Sequence, residues 1–434
     1  MATYLKQGKK QTAERSQEIS ETVSQILLDV EREGLPAIRR YSTKFDNWNP
    51  DRFSIPIEQA LAAGDQVDEQ LRTDIAFARE QVENFARLQL DTVTEFETET
   101  LPGVRLGQRL IAIEVVGAYS PGGRYPLIAS SIMTTVVPKV AGVDRVVAVA
   151  PPFGLGGGIY PAQLYTMALG GADQILCLGG VQAFAAMAFG LEDVEPVDFV
   201  IGAGNAYVAE AKRQLFGRVG IDLLAGPSEV AVICDDTADP RLVAADLLGQ
   251  AEHGPTSPAT CITTSLAMGE AVLAAIEGWL SNAWPTKDVA GAAWQDYGSV
   301  VICYGGDEAV KVSDKLAAEH LEVQTADPDW YLKRLRNYGS LFLGRESTVA
   351  YSDKAIGTNH VLPTGLAARY TGGLWVGKFL KTVTYQKVTR AAGNAQVARA
   401  TAGISDAEHM AGHALTARIR LDPDLLDGAT ARSA

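Results

Sequence analysis

Histidine and cysteine are scarce in this chain, with five of the first and four of the second in 434 residues. Cys177, Cys234, Cys261 and Cys303 each sit inside a strand-like apolar run (ILCLGG, AVICDD, ATCITT, VVICYG) without CxxC spacing. They read as reduced, buried small hydrophobes rather than as a thiol site. Long apolar runs are absent too: no segment approaches the roughly 18 uninterrupted apolar residues of a membrane helix. No apolar stretch of signal-peptide type follows the basic MATYLKQGKK, so a cytoplasmic location is expected. Basic residues are outnumbered, 38 against 52 acidic, and a net charge of -14 repels phosphate backbones and anionic lipid. Neither nucleic acid nor a membrane is therefore an expected partner. Internal repeats and low-complexity tracts are missing as well. What remains, 47% hydrophobic and 21% charged residues, is a globular composition long enough for two to four structural units and a large core.

Residues 10 to 45 are charged and helical in pattern, and 57 to 97 continue with apolar positions at helical spacing (Val67, Leu71, Ile75, Ala78, Val82, Phe85). From about 112 the texture changes to short β-branched runs, IEVVGAY, RVVAVAPP, QILCLGG, VDFVIGAG and SEVAVICDD, separated by helix-like stretches at 127–141, 160–170, 181–190 and 205–217. Such alternation predicts a parallel sheet with crossover helices, the doubly wound arrangement. A second alternation follows: helix 239–253, strand 260–264, helix 267–282, strand 299–303, helix 307–318 and a strand near 340. Two α/β units are expected, with a mostly helical tail from about 372 to 434 that is too small to bury much surface alone and docks on the main body or a partner subunit.

The few histidines, at 253, 320, 360, 409 and 413, fall in distinctive surroundings. Asp239-Pro240 starts a helix and Gly254 stops it, so Gln250 and His253 share one face of its last turn, as a metal pair or as an ordinary helix end. Glu319-His320 closes another helix-like stretch, and adjacent titratable groups can divide acid and base work. A helix-terminal His interacting with the macrodipole is the plainer alternative. His360 lies in the loop GTNHVLPTG, seven residues after Asp353, and loops on an α/β scaffold concentrate function. His409 and His413, four apart in the tail, read as a two-His metal face or a surface pair. Gly202-Ala203-Gly204-Asn205 follows the run VDFVI and precedes a helix, so its amides can face a phosphate, although Tyr207 replaces the third glycine of the dinucleotide fingerprint. The turns at Tyr119-Ser120-Pro121-Gly122-Gly123 and Gly179-Gly180-Val181-Gln182 also follow strands, and turns on neighbouring parallel strands gather at the sheet edge where ligands bind.

Taken together, VGAYSPGGRYPL, LGGVQAF, GAGNAYVAEAKRQLFG, DLLAGPSEV, DLLGQAEHGP, AAEHLEVQT, DKAIGTNHVLPTG and EHMAGHA, in this order and over nearly the whole chain, resemble the histidinol dehydrogenase family. The resemblance implies two doubly wound, incomplete Rossmann-like domains with helical extensions at both ends. Its divisions are an N-terminal extension 1–17, a larger domain 18–117 with 230–371, an NAD-binding domain 118–229 and a tail 372–434. It implies one zinc ion on Gln250, His253, Asp353 and His413, with His413 supplied across a homodimer that exchanges tails. It also implies an acid/base pair of Glu319 and His320, substrate contacts from Ser228, His360 and Glu408 with the metal ligands and His320, and NAD contacts from Tyr119, Gln182 and Asn205. His409 matches no functional position of the family and is assigned to the surface. The activity implied is a four-electron oxidation of a primary alcohol through a bound aldehyde to a carboxylate, with two NAD.

Histidinol-oxidising members usually carry Glu four residues before the ligand Asp, where this chain has Val349, and an apolar residue cannot pair a buried ammonium. The segment AARYTGGLWVGKFLKTVTYQ and the turn GGRYPL resemble the branch that oxidises sulfopropanediol to sulfolactate. Arg124, Arg369, Tyr370 and Lys378 are then candidates near the mouth for a small anion. Sulfopropanediol thus ranks ahead of L-histidinol. A zinc hydrolase or a non-catalytic nucleotide-binding module are the rival classes, and neither accounts for the strand-turn-helix features together with the histidine positions.

Overall fold

The computed structural model describes residues 2–9, 17–122, 125–154, 157–224, 226–282, 284–389 and 392–426. Two compact units result, one of residues 1–90 with 113–379 and one of residues 91–112 with 380–434.

The first unit contains two six-stranded sheets, each with five parallel strands and one short antiparallel edge. In one, the order is Ser54–Ile55, Gln174–Cys177, Arg145–Ala150, Val115–Tyr119, Phe199–Ile201, Gly220–Ile221. In the other it is Thr3–Lys6, Gly298–Ile302, Ala259–Thr263, Val230–Cys234, His320–Gln324, Ser340–Leu343. We call them the glycine-turn sheet and the acid sheet for what they carry. Strand alternation explains how each is filled on both faces. Val230, Val232 and Cys234 face one core with Leu247, Val272 and Trp294, whereas Ala231 and Ile233 face another with Val301, Leu321 and Leu335. The helix Gln17–Glu33 buries Val23, Ile26, Leu27 and Val30, at helical spacing, in one core with Phe184 and Val208 of the helices Gly180–Phe189 and Ala206–Leu215. All four cysteines are free and buried.

In the second unit, Leu380–Val388 pairs antiparallel with Val104–Ala112, which pairs in turn with Phe96–Leu101. Ala392–Ala407 and Ala411–Leu421 form a helical hairpin whose core is four alanines, Ala398, Ala402, Ala414 and Ala417.

The α/β class holds as expected, and three local expectations give way. The helical pattern over 57–97 splits into Ile57–Ala62 and Glu69–Leu90, then yields to the strand Phe96–Leu101. The tail carries a nine-residue strand, Leu380–Val388, ahead of its helices, because its partner lies about 270 to 280 residues upstream and local pattern carries no trace of it. Glu319-His320 does not close a helix. That helix ends at Leu316, Ala317 takes a left-handed conformation (φ 48°), and His320 opens a fully buried strand one in from the sheet edge. Pairing on both sides, with Val230–Cys234 and Ser340–Leu343, overrides the polar look of HLEVQ.

Candidate active site

At the carboxyl ends of the glycine-turn sheet, three strand-to-helix turns converge. Tyr119 ends a strand and its hydroxyl accepts from Gly180 N–H at 3.3 Å. Gln182, in the first turn of the helix Gly180–Phe189, donates its amide to Asp46 Oδ2 at 2.8 Å. Asn205 caps the helix Ala206–Leu215, its side-chain oxygen accepting from Tyr207 and Val208 N–H at 3.0 and 3.2 Å. Gly202 stands at φ 122°, and a Cβ there would lie 2.0 Å from the Tyr119 carbonyl oxygen, so only glycine fits. Its N–H donates to Asp222 Oδ2 at 2.9 Å and its carbonyl accepts from Lys212 Nζ at 2.9 Å. Lys212 and Asp222 are a buried ion pair that fixes this turn from both sides.

The acid sheet presents different chemistry. Glu319 and His320 are 5% and 2% exposed. The Glu229 backbone holds both: its N–H donates to Glu319 Oε2 at 3.0 Å, and its carbonyl lies 3.3 Å from His320 Nδ1. A carbonyl only accepts, so in the neutral ring Nδ1 carries the hydrogen and Nε2 keeps its lone pair. Nε2 is buried, has no hydrogen-bond partner, and sits 3.6 Å from Asp353 Oδ1, too far for a bond. Burial works against the charged ring, but the Glu319 and Asp353 carboxylates outweigh it and raise the His320 pKa. Burial pushes Glu319 up to about 8 and Glu229 up to about 7. Burial alone would raise Asp353 too, yet His320, His360 and His253 hold it well below the usual carboxylate range. His360 Nδ1 lies 3.0 Å from the Asp353 carbonyl and Nε2 2.7 Å from the Ser130 hydroxyl. Burial lowers the pKa of both His253 and His360.

His253 Nε2 stands 3.6 Å from Asp353 Oδ2, and its Nδ1 meets the Gln250 amide nitrogen at 3.4 Å. In a tetrahedral zinc site with bonds of about 2.0–2.2 Å, ligand atoms are roughly 3.3–3.6 Å apart, so the His253–Asp353 pair has the separation of one edge. Gln250 carries a further oxygen donor, although its amide meets Nδ1, the ring nitrogen away from Asp353. These nitrogen and oxygen donors fit a zinc-type ion, but they form an incomplete set: among the described residues no three His, Cys, Asp or Glu side chains make a metal cluster.

One cavity of about 1460 Å³ is lined by Tyr119, Gln182 and Asn205 together with Ser228, His253, Glu319, His320, Asp353 and His360. Gln250, 2% exposed, meets His253 without lining the cavity. Glu408 and His413 belong to the second unit and are exposed there, as is His409. His253 lies beyond the end of its helix, which stops at Ala251. Arg369, Tyr370 and Lys378 do not line the cavity; Tyr370 is 79% exposed and Lys378 donates to the Thr371 hydroxyl at 2.8 Å. Arg124 lies outside the described residues. Val349 is packed in the apolar core with Phe342. Asp46, Lys354, Glu229 and the Lys212–Asp222 pair were not foreseen. An acidic or basic residue at the end of a helix or in a turn looks like ordinary surface in sequence, and only the fold buries it or turns it into a cleft.

A family model for histidinol dehydrogenase matches residues 9–421. A histidinol dehydrogenase homolog of Shouchella clausii is 50% identical over 423 residues, covering 97% of this chain and 99% of that one. The sulfopropanediol 3-dehydrogenase of Ruegeria pomeroyi is 46% identical over 419 residues, covering 96% of each. The crystal structure of histidinol dehydrogenase from Elizabethkingia anophelis superposes with a TM-score of 0.89 at 34% identity, covering 96% of this chain and 94% of that one. With matched sequence and matched fold both running nearly end to end, the chain belongs to the histidinol dehydrogenase family of oxidoreductases.

Proposed function

We propose that this chain is a zinc-dependent, NAD-linked dehydrogenase that carries a primary alcohol through a retained aldehyde to the carboxylate. The observation that supports it most is the bare, buried Nε2 of His320, a residue whose ring Glu229 holds in one orientation and which lines the cavity shared with the glycine turns. His320 acts as the base that takes the hydroxyl proton, and burial of Glu319 suits it to exchange protons near neutral pH as the base that activates water on the aldehyde. When bound, zinc polarises the substrate oxygen and NAD accepts hydride. The overall balance is one alcohol, one water and two NAD giving one carboxylate, two NADH and three protons. Gln250, His253 and Asp353 hold the metal with His413 of the partner subunit, which makes the active form a homodimer in the cytoplasm. Tyr119, Gln182 and Asn205 contact NAD, and Ser228, His360 and Glu408 contact substrate.

For the substrate, an anionic diol ranks ahead of histidinol, with sulfopropanediol as the named candidate. The Ruegeria pomeroyi relative bearing that name supports it. So does Lys354, which lines the cavity beside Asp353 and whose charge is felt by His253 and His360. Arg213, the other described cation on the lining, is paired with Glu210. A panel following NADH with added zinc tests the reading: two NADH per sulfopropanediol and little from histidinol is expected. Rapid turnover of histidinol alone reverses the substrate ranking, and metal-restored activity without NAD removes the dehydrogenase reading.

A further inference from the structure

Three segments distant in sequence supply the buried polar centre. The helix Pro240–Ala251 brings Gln250, the strand His320–Gln324 brings His320, and the short helix Val349–Lys354 brings Asp353. One side-chain network, with no part in the chemistry above, joins all three. Gln324 Nε2 donates to Asp246 Oδ2 at 2.7 Å and to Glu322 Oε2 at 3.1 Å. The Thr348 hydroxyl donates to Asp246 Oδ1 at 3.0 Å, and the Val349 N–H donates to Glu322 Oε1 at 3.1 Å. Glu322 and Gln324 are 1% and 2% exposed.

Position in each element gives the network its leverage. Asp246 lies one turn before Gln250 on the same helix face, and Glu322 lies two residues after His320 on the same strand face. Thr348 caps the Asp353 helix, its oxygen accepting from Ala350 N–H. A helix of six residues has little stability of its own, so what binds its first N–H groups decides where Asp353 is held. Two carboxyl groups in contact do not both ionise. Burial and the neighbouring Asp246 carboxylate push Glu322 well above the usual carboxylate range, and burial raises Asp246 less decisively. Glu322 is accordingly the one of the two that more readily keeps a proton to share with Asp246.

We propose that Asp246 and Glu322, tied together by Gln324 and steadied by Thr348, position the site by clamping the helices of Gln250 and Asp353 onto the strand of His320. Neither residue touches the substrate; each acts through the element it holds. The inference rests on the zinc reading above only for its metal readout.

The test uses the full-length protein and the variants E322A, E322Q and D246N, with folding checked by circular dichroism. Backbone amide exchange at residues 349–354 and zinc affinity by chelator competition are the readouts. E322A leaves the Val349 N–H without its partner, so exchange at 349–354 rises ahead of the rest of the chain and zinc binding weakens by roughly 10- to 100-fold. E322Q keeps an acceptor for Val349 and a donor for Asp246 and loses only the acceptor for the Gln324 amide, so it should stay closest to wild type in both readouts. D246N sets an amide NH2 where Gln324 and Thr348, with Glu322, all donate to Asp246, so it should fall between the two. Should E322A fail to fold, the order of E322Q and D246N, both near-isosteric, carries the test. Unchanged local exchange in E322A, a rise spread evenly over the chain, or E322Q harmed more than D246N overturns the proposal. A wild-type protein that binds no zinc, combined with the local exchange response, leaves the clamp standing and removes the metal reading instead.

Discussion

The two sheets of the first unit share an architecture and bury opposite kinds of side chain. At its carboxyl ends the glycine-turn sheet gathers neutral groups, Tyr119, Gln182 and Asn205, around a backbone turn whose one buried ion pair, Lys212 with Asp222, serves the Gly202 peptide. The acid sheet buries His320 and Glu322 along a single strand and Glu319 immediately before it, with Asp353 against His320. Burial raises carboxylate pKa values only where ionised forms lack strong partners, so the acid sheet stores protons near neutral pH while the glycine-turn sheet holds shape. Substitutions in the first should therefore act on turnover, and those in the second on cofactor affinity and stability.

The largest effect that separates them is expected from His320→Asn. Asparagine retains an N–H for the Glu229 carbonyl but loses the lone pair at Nε2, so kcat should fall by roughly 10²- to 10⁴-fold. Its NAD affinity, followed by fluorescence titration, should remain close to wild type. A kcat within a few-fold of wild type removes His320 from the base role. On the other sheet, Gly202→Ala meets both a left-handed φ and the Tyr119 carbonyl. Denaturant unfolding should register a loss of about 2 kcal/mol or more, and KM for NAD should rise further than kcat falls. If kcat alone responds, the division of labour between the sheets is wrong.

The contrast also marks what could be read from sequence. Glycine turns announce themselves because Gly202 and Gly180 sit where strands hand over to helices, and both take positive φ. Five histidines in so long a chain draw the eye to Glu319-His320 and to the Gln250–His253 pair. That Asp353 joins them came from family resemblance, since no local pattern links a residue in a six-residue helix to one a hundred positions earlier. Glu322, Asp246 and Glu229 were invisible for a physical reason: a charged residue in a strand or helix is normally solvated, and its burial depends on pairing partners that the sequence does not name. The same blindness hid Leu380–Val388, whose exposed alternation yields no core face to recognise.

A smaller effect tests the substrate side of the acid sheet. Lys354→Ala should raise KM for sulfopropanediol about tenfold, equivalent to about 1.4 kcal/mol, while KM for NAD stays put. An equal rise for histidinol, which is cationic, would show that Lys354 supports the fold of its helix rather than the substrate's anionic end.

The smallest expected effect concerns pH and the shared proton. In the unfolded chain Glu322 titrates near its ordinary value of 4.5, and in the folded chain well above it. Between those two values the folded state binds a proton that the unfolded state has released, so stability falls as pH rises across the window. The contribution is complete below the unfolded value and is lost as pH climbs through the folded one. Asp246 shifts in the same direction and lies against Glu322, so the pair titrates together. Glu322→Gln cannot lose this proton. Its unfolding midpoint in urea should therefore decline less from pH 6 to pH 9 than that of wild type, with the two proteins closest at the acid end. A parallel decline in both would place the proton elsewhere in the acid sheet, with Glu319, raised to about 8 by its own burial, as the group to substitute next.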